Sequence, residues 1–98
     1  MVAMLTKKQG AGGKVRVGFS LPPEIEAEQV AVCGEFNDWN GLPMKRLKSG
    51  EWRASVALDP GRCYRFRYLV DGVRWENDWA ADAYETNAFG TDDSVVQV

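Results

Sequence analysis

The sequence predicts an all-β fold, an antiparallel β-sandwich, with a small barrel as the alternative arrangement. Three observations carry this. Apolar and polar residues alternate with period two over several short segments. Turn-forming residues separate those segments at intervals of about eight to twelve residues, the rhythm of a sandwich. No segment shows the apolar period of an amphipathic helix, and no internal repeat stands out.

Taken in order, residues 1–13 end in Gln9-Gly-Ala-Gly-Gly13 and read as a flexible leader. Val15, Val17 and Phe19 then share one face, with Lys14, Arg16 and Gly18 on the other, so a half-buried strand begins here. Leu21-Pro22-Pro23 stops it, because proline has no N–H to give a ladder. Glu24 to Glu28 is more a loop than a helical turn. Gln29 to Cys33 is a short strand with Val30 and Val32 on one face and Ala31 and Cys33 on the other. Phe36-Asn-Asp-Trp-Asn-Gly41 is rich in turn formers and leaves the sheet, and Met44 and Leu47 dip back to the core.

After a turn at Ser49-Gly50, Glu51 to Leu58 alternates with Trp52, Ala54, Val56 and Leu58 inward. Asp59-Pro60-Gly61 is a turn. Arg62 to Val70 is the longest strand, with Tyr64, Phe66, Tyr68 and Val70 on one face and Arg65, Arg67 and Leu69 on the other. Asp71-Gly72 is a hairpin signal, and Val73-Arg74-Trp75 starts the return strand. Residues 76–93 read as one long irregular stretch, of the kind that in compact domains is functional or disordered. Val95, Val96 and Val98 close the chain as a last strand.

Ninety-eight residues make one domain. A barrel enzyme needs about 250 residues. The absence of histidine removes the commonest general base and metal ligand. A net charge of −2 argues against nucleic acid as a bulk electrostatic partner. Residues 44–74 are rich in Lys and Arg and residues 76–98 carry only acids, so the two segments are expected to lie together and neutralise each other. Asp78 and Asp82 do not form an ordered cation loop, so no metal and no cofactor is expected. Met1 to Lys8 lacks the apolar run of a signal peptide and no run approaches a membrane span, which makes a cytoplasmic protein the expectation. Cys33 and Cys63 either pair across the sandwich or stay reduced, the commoner state without a secretion signal.

Two tryptophans fall on loops, Trp39 in Gly34-Glu-Phe-Asn-Asp-Trp-Asn40 and Trp75 after the Asp71-Gly72 turn. An indole on a polar loop is costly to leave in water. Either both are flat platforms for the apolar faces of sugar rings, or one or both cap the core. Trp79 reads as structural or as a packing cover for the long loop.

The order Val32-Cys-Gly-Glu-Phe-Asn-Asp-Trp39, Pro60-Gly61, Tyr64-Arg-Phe-Arg-Tyr-Leu-Val-Asp-Gly72 with Trp75, then Phe89-Gly90-Thr91 and a valine-rich end resembles carbohydrate-binding module family 48. This is the immunoglobulin-like early-set domain at the front of isoamylases and branching enzymes. It is also similar to the glycogen-binding domain of the AMP-activated protein kinase beta subunit and to stand-alone bacterial early-set proteins. The resemblance covers about residues 14–98. It implies a glycogen-binding-like, immunoglobulin-like antiparallel β-sandwich over those residues, and a sugar site. Trp39 and Trp75 match the two indoles that stack on glucose rings. Arg67, outward on its strand, matches a lysine that hydrogen-bonds the sugar. Phe89 matches a leucine that props against the glucan, and Thr91 a hydrogen-bonding threonine. Asp93 stands where the family has asparagine; an ionised aspartate accepts but does not donate.

On residues alone, Arg67 is either that sugar donor or a strand-face charge paired with the acidic tail. Phe89 is either a platform or a core plug, and Thr91 and Asp93 are either ligands or turn formers. The implied function is non-catalytic binding of α-1,4-linked glucan. A glucan is then the partner, with a glycogen-metabolism enzyme as a further partner in trans, and neither nucleic acid nor membrane. The competing reading is an early-set protein-interaction domain with no working sugar site.

Overall fold

The computed structural model describes residues 4–98. Its strands are β1 (Met4–Gln9), β2 (Val15–Leu21), β3 (Val30–Gly34), β4 (Leu42–Pro43), β5 (Lys45–Arg46), β6 (Trp52–Leu58), β7 (Cys63–Val70), β8 (Arg74–Glu76), β9 (Ala83–Thr86) and β10 (Asp92–Gln97). They form two antiparallel sheets. The first has the order β1-β2-β6-β5. The second has the order β4-β3-β7-β10-β9, with β8 pairing the far half of β7. The fold is therefore an all-β sandwich, as the alternation and turn spacing imply. No helix among the described residues is long and apolar enough to cross a membrane.

Alternation decides which side chains fill the space between the sheets. Val17, Phe19 and Leu21 of β2 and Trp52 and Leu58 of β6 enter from one side. Val30 and Val32 of β3, Val96 of β10 and the row Tyr64, Phe66, Tyr68 and Val70 of β7 enter from the other. Phe19 meets Phe66 edge-to-face at 5.1 Å between ring centroids and stacks on Phe36 at 5.6 Å, which ties the sheets and the loop after β3 into one aromatic cluster.

Two expectations change. The sequence assigns residues 1–13 to a flexible leader, but Met4–Gln9 is a strand, paired with β2 from Met4–Ser20 to Gln9–Val15. Leu5 packs on the core, and the Lys7 ammonium reaches Asp82 at 2.6 Å across the sandwich edge. The glycines that suggest disorder are the connection to β2, with Gly12 and Gly13 at positive φ. The part of that leader over residues 1–3 lies outside the described residues. Residues 76–93 are also not one irregular stretch, because β9 pairs with β10 from Ala83–Val95 to Thr86–Asp92. Its sequence, Ala83-Tyr-Glu-Thr86, has no apolar stripe, so it owes its conformation to backbone pairing at a sheet edge.

Cys33 and Cys63 are both free thiols. They lie on neighbouring strands of one sheet, with Cys33 opposite Arg67 and so four residues out of step with Cys63. At about 3.3 Å per residue that is about 13 Å, too far for a disulfide.

Candidate carbohydrate-binding face

The outer surface of the second sheet is set by β7. With Phe66 and Tyr68 inward, Arg67 and Leu69 point away from the core. Register then fixes their neighbours: Cys33 sits opposite Arg67, and Ala31 opposite Leu69 on one side with Trp75 on the other. Trp75 thus belongs to the same outer face, 47% exposed. Its strand is positioned by a turn with Asp71 and Gly72 at φ of 52° and 70°, the left-handed pair that type I′ requires. Pairing resumes at Arg74 against Val70, which leaves Val73 as an extra, exposed residue. Asp71 Oδ1 also accepts from the Glu28 and Gln29 N–H groups, so the turn is anchored to the segment that leads into β3.

The loop carrying Trp39 is held just as firmly. Asn37 Oδ1 accepts from Gly34 N, and its Nδ2 donates to Val32 O. Trp39 N donates to Gly34 O at 2.9 Å, while Asp38 and Trp39 both take positive φ. Phe36 turns inward to the aromatic cluster, and Glu35 accepts from Arg65 N at 2.7 Å. The loop lies on the outer face: a Cβ on Gly41 would stand 2.9 Å from the Ala31 Cβ and 3.8 Å from the Cys33 sulfur. Cys33 is buried there outside the main core, and burial pushes its thiol pKa up. Trp39 itself remains 39% exposed.

The β9–β10 hairpin completes the face. Asn87 is its keystone: Oδ1 accepts from Phe89 N and Thr91 N, and Nδ2 donates to Thr91 Oγ1 and Asp93 Oδ1. Gly90 at φ 80° closes a three-residue turn. Phe89 projects from its tip, 92% exposed, so it is not a core plug. Arg67 Nη2 donates to Thr91 Oγ1 and to Asp92 O, both at 2.7 Å. Arg67 Nε lies 2.8 Å from Asp93 Oδ1, but its N–H is turned out of line, so this contact is Coulombic. Asp93 is buried behind the guanidinium, and Nη1 is left without a partner among the described residues.

Arg67, Thr91 and Asp93 therefore form one bonded cluster beside Trp75, with the Trp39 loop on the same face and Phe89 at the hairpin tip. Asp93 supports the arginine instead of facing outward. Trp79 is half exposed. Three structural residues escape sequence reasoning. Asn87 has a faint signal in its spacing from Gly90. Asn77 Oδ1 accepts from Ser94 N and Oγ, and its Nδ2 donates to Asp92 O. Asp78 looks like a solvated loop acid but is fully buried, accepting from Tyr68 O–H at 2.7 Å and from Ala80 N. Burial raises its pKa, the Tyr68 and Ala80 hydrogen bonds lower it, and the Asp82 charge raises it further; the sum is a rise.

Residues 21–98 match the family described as the glycogen recognition site of AMP-activated protein kinase. Over 63 residues the chain is 44% identical to the 1,4-alpha-glucan branching enzyme GlgB of Deinococcus radiodurans, covering 61% of this chain and 9% of that enzyme. Among solved structures it is similar to apo pullulanase from Paenibacillus barengoltzii, with a TM-score of 0.56, 26% identity, and coverage of 93% of this chain and 14% of that one. A mutant of that pullulanase complexed with maltotriose gives a TM-score of 0.57 at 26% identity, over 96% of this chain and 15% of the other. The chain thus spans a small fraction of the enzymes it matches. With four-fifths of its length inside the match and the sandwich to go with it, the chain belongs to the family of the AMP-activated protein kinase glycogen recognition site.

Proposed function

We infer that this chain is a non-catalytic module that binds α-1,4-linked glucan on the outer face of its second sheet. The observation that carries the reading is Trp75, exposed and register-locked next to Arg67, on the face that the Trp39 loop overlies. In this reading the Trp39 and Trp75 indoles stack on glucose rings, Phe89 adds a third apolar contact, and Arg67 Nη1 donates to a sugar hydroxyl. Thr91 and Asp93 act through Arg67 by fixing its guanidinium plane. The family match and the glucan-enzyme relatives support the ligand class. Affinity is weak, because each hydroxyl gives up water before it gains a partner, and repeated chain ends on glycogen raise it by avidity. The module works in the cytoplasm, and an enzyme acting on the same polymer is its partner in trans.

Affinity electrophoresis through gels containing glycogen tests this. The parent protein is retarded and Trp39→Ala and Trp75→Ala are not, each variant keeping the parent's far-ultraviolet spectrum. Equal migration of all three in glycogen gels and in plain gels would overturn the reading.

A further inference from the structure

The opposite face of the molecule has a different chemistry. Of the twelve Lys and Arg residues, Lys7, Lys14, Arg62, Arg65, Arg67 and Arg74 each stand in an ion pair. The other six, Lys8, Arg16, Lys45, Arg46, Lys48 and Arg53, form no ion pair among the described residues, and all belong to the first sheet or its β5–β6 turn. Arg46 lies over the Trp52 ring, on the core side. Charge neutralisation between residues 44–74 and the acidic tail is thus only partial: it reaches Arg65, Arg67 and Arg74 but not this sheet.

Register shows how these cations are arranged, with Arg16 Nη1 also donating to Ser55 Oγ at 3.1 Å. Lys8 of β1 sits directly opposite Arg16 of β2, and Lys45 of β5 directly opposite Arg53 of β6. Like charges placed across from each other on one sheet face are destabilising; among the described residues neither pair stands in an ion pair, and the one carboxylate lining the same trough, Glu51, is bonded to Ser49. Arg53 is also opposite Ser20, four residues from Arg16 on β2. At about 3.3 Å per residue and 4.8 Å per strand, the two pairs are about 16 Å apart on a diagonal. Between them runs a row of small residues, Thr6, Gly18 and Ser55. This row floors an open trough of about 550 Å³. A Cβ on Gly18 would stand 2.4 Å from Thr6 Oγ1, so a larger residue there would displace the Thr6 hydroxyl and raise the floor.

We propose that this face docks a carboxylate-rich segment of a partner protein, one acidic group on each cation pair and the chain between them in the trough. An extended peptide spans the distance in about five residues. Among the described residues the exposed large hydrophobic side chains all lie on the second sheet and its loops, so this face shows none of the aromatic platforms that single-stranded nucleic acid uses. The site is separate from the sugar face and does not depend on it.

The test is fluorescence anisotropy at low and moderate salt with a labelled peptide bearing two Glu-Glu pairs separated by four serines, its Gln-for-Glu version, and an oligothymidylate of equal charge. The proposal expects binding of the Glu peptide alone, weakened by salt and reduced at least tenfold in Lys45→Glu and in Lys8→Glu. Both variants gain thermal stability, because a repulsive pair becomes an attractive one, and both keep the parent's response to maltoheptaose. No binding of the Glu peptide, equal binding of the Gln peptide, tighter binding of oligothymidylate, or unaltered affinity in the two variants would each overturn it.

Discussion

Arg67 offers five N–H groups in a planar fork, and the chain engages both protons of Nη2 and the charge at Nε. What remains for a ligand is the Nη1 edge, held in one plane. Asp93→Ala removes the buried countercharge and is expected to destabilise the fold by about 1–3 kcal/mol while weakening glucan binding through loss of that plane. Asp93→Asn should recover much of both; a urea titration and a maltoheptaose titration on the same samples check this. Asp78 is the second residue whose neighbours depend on it. Asp78→Ala leaves the buried Tyr68 hydroxyl unpartnered and should cost about 1–3 kcal/mol in urea denaturation, without moving the sugar face. The sequence offers a pairing of Arg67 with the acidic tail as one reading, but it names neither Asp93 as the partner nor Asp78 as the acceptor of a buried hydroxyl. An acid in a polar loop looks the same whether it faces water or a buried tyrosine, and Asp93 gains its meaning only from an arginine on another strand.

Among the elements, the strands that bury one face were legible. In β2, β6 and β7 the alternation fixes which side chains enter the core, and so fixes that Arg67 and Leu69 point out. β1 and β9 were not legible, since a polar edge strand is held by its neighbour's backbone and leaves no apolar stripe to read. The order of the Trp39 loop rests on close approach at Gly34, whose extended backbone any residue accepts but whose missing Cβ no other residue can match. A Cβ there would meet Arg65 O at 2.7 Å and the Phe36 ring at 2.6 Å. Gly34→Ala is therefore expected to cost about 1–3 kcal/mol and to loosen the loop. The measurable result is a lower urea midpoint together with faster acrylamide quenching of Trp39 in a background where the other exposed tryptophans are phenylalanine.

The whole molecule is chemically two-sided, with exposed aromatics on the second sheet and unpaired cations on the first. Its pH response follows from two carboxylates, Asp82 in the link to β1 and the buried Asp78. For Asp82, burial raises the carboxyl pKa, but the Lys7 hydrogen bond, the Gln97 N–H and the Lys7 charge outweigh it, and the sum is a lowered value. A lowered folded value means that the Lys7–Asp82 link stabilises above the unfolded value, about 3.9, and is lost as pH falls through the folded one. Asp78 runs the opposite way: its raised value means that protonation relieves a buried charge, so this site opposes acid unfolding. Thermal melts between pH 7 and pH 3 should thus show Asp82→Asn with a shallower acid decline than the parent and Asp78→Asn with a steeper one. Identical slopes would remove these two carboxylates from the account.

The sheet face around Trp75 is proposed as the sugar platform. Tryptophan fluorescence titrated with maltoheptaose, with cellohexaose alongside, tests it most directly. A saturable change with the α-linked sugar, absent with cellohexaose and lost in Trp75→Ala, is the predicted result. No change with maltoheptaose up to several millimolar, or a change that survives in Trp75→Ala, would contradict it.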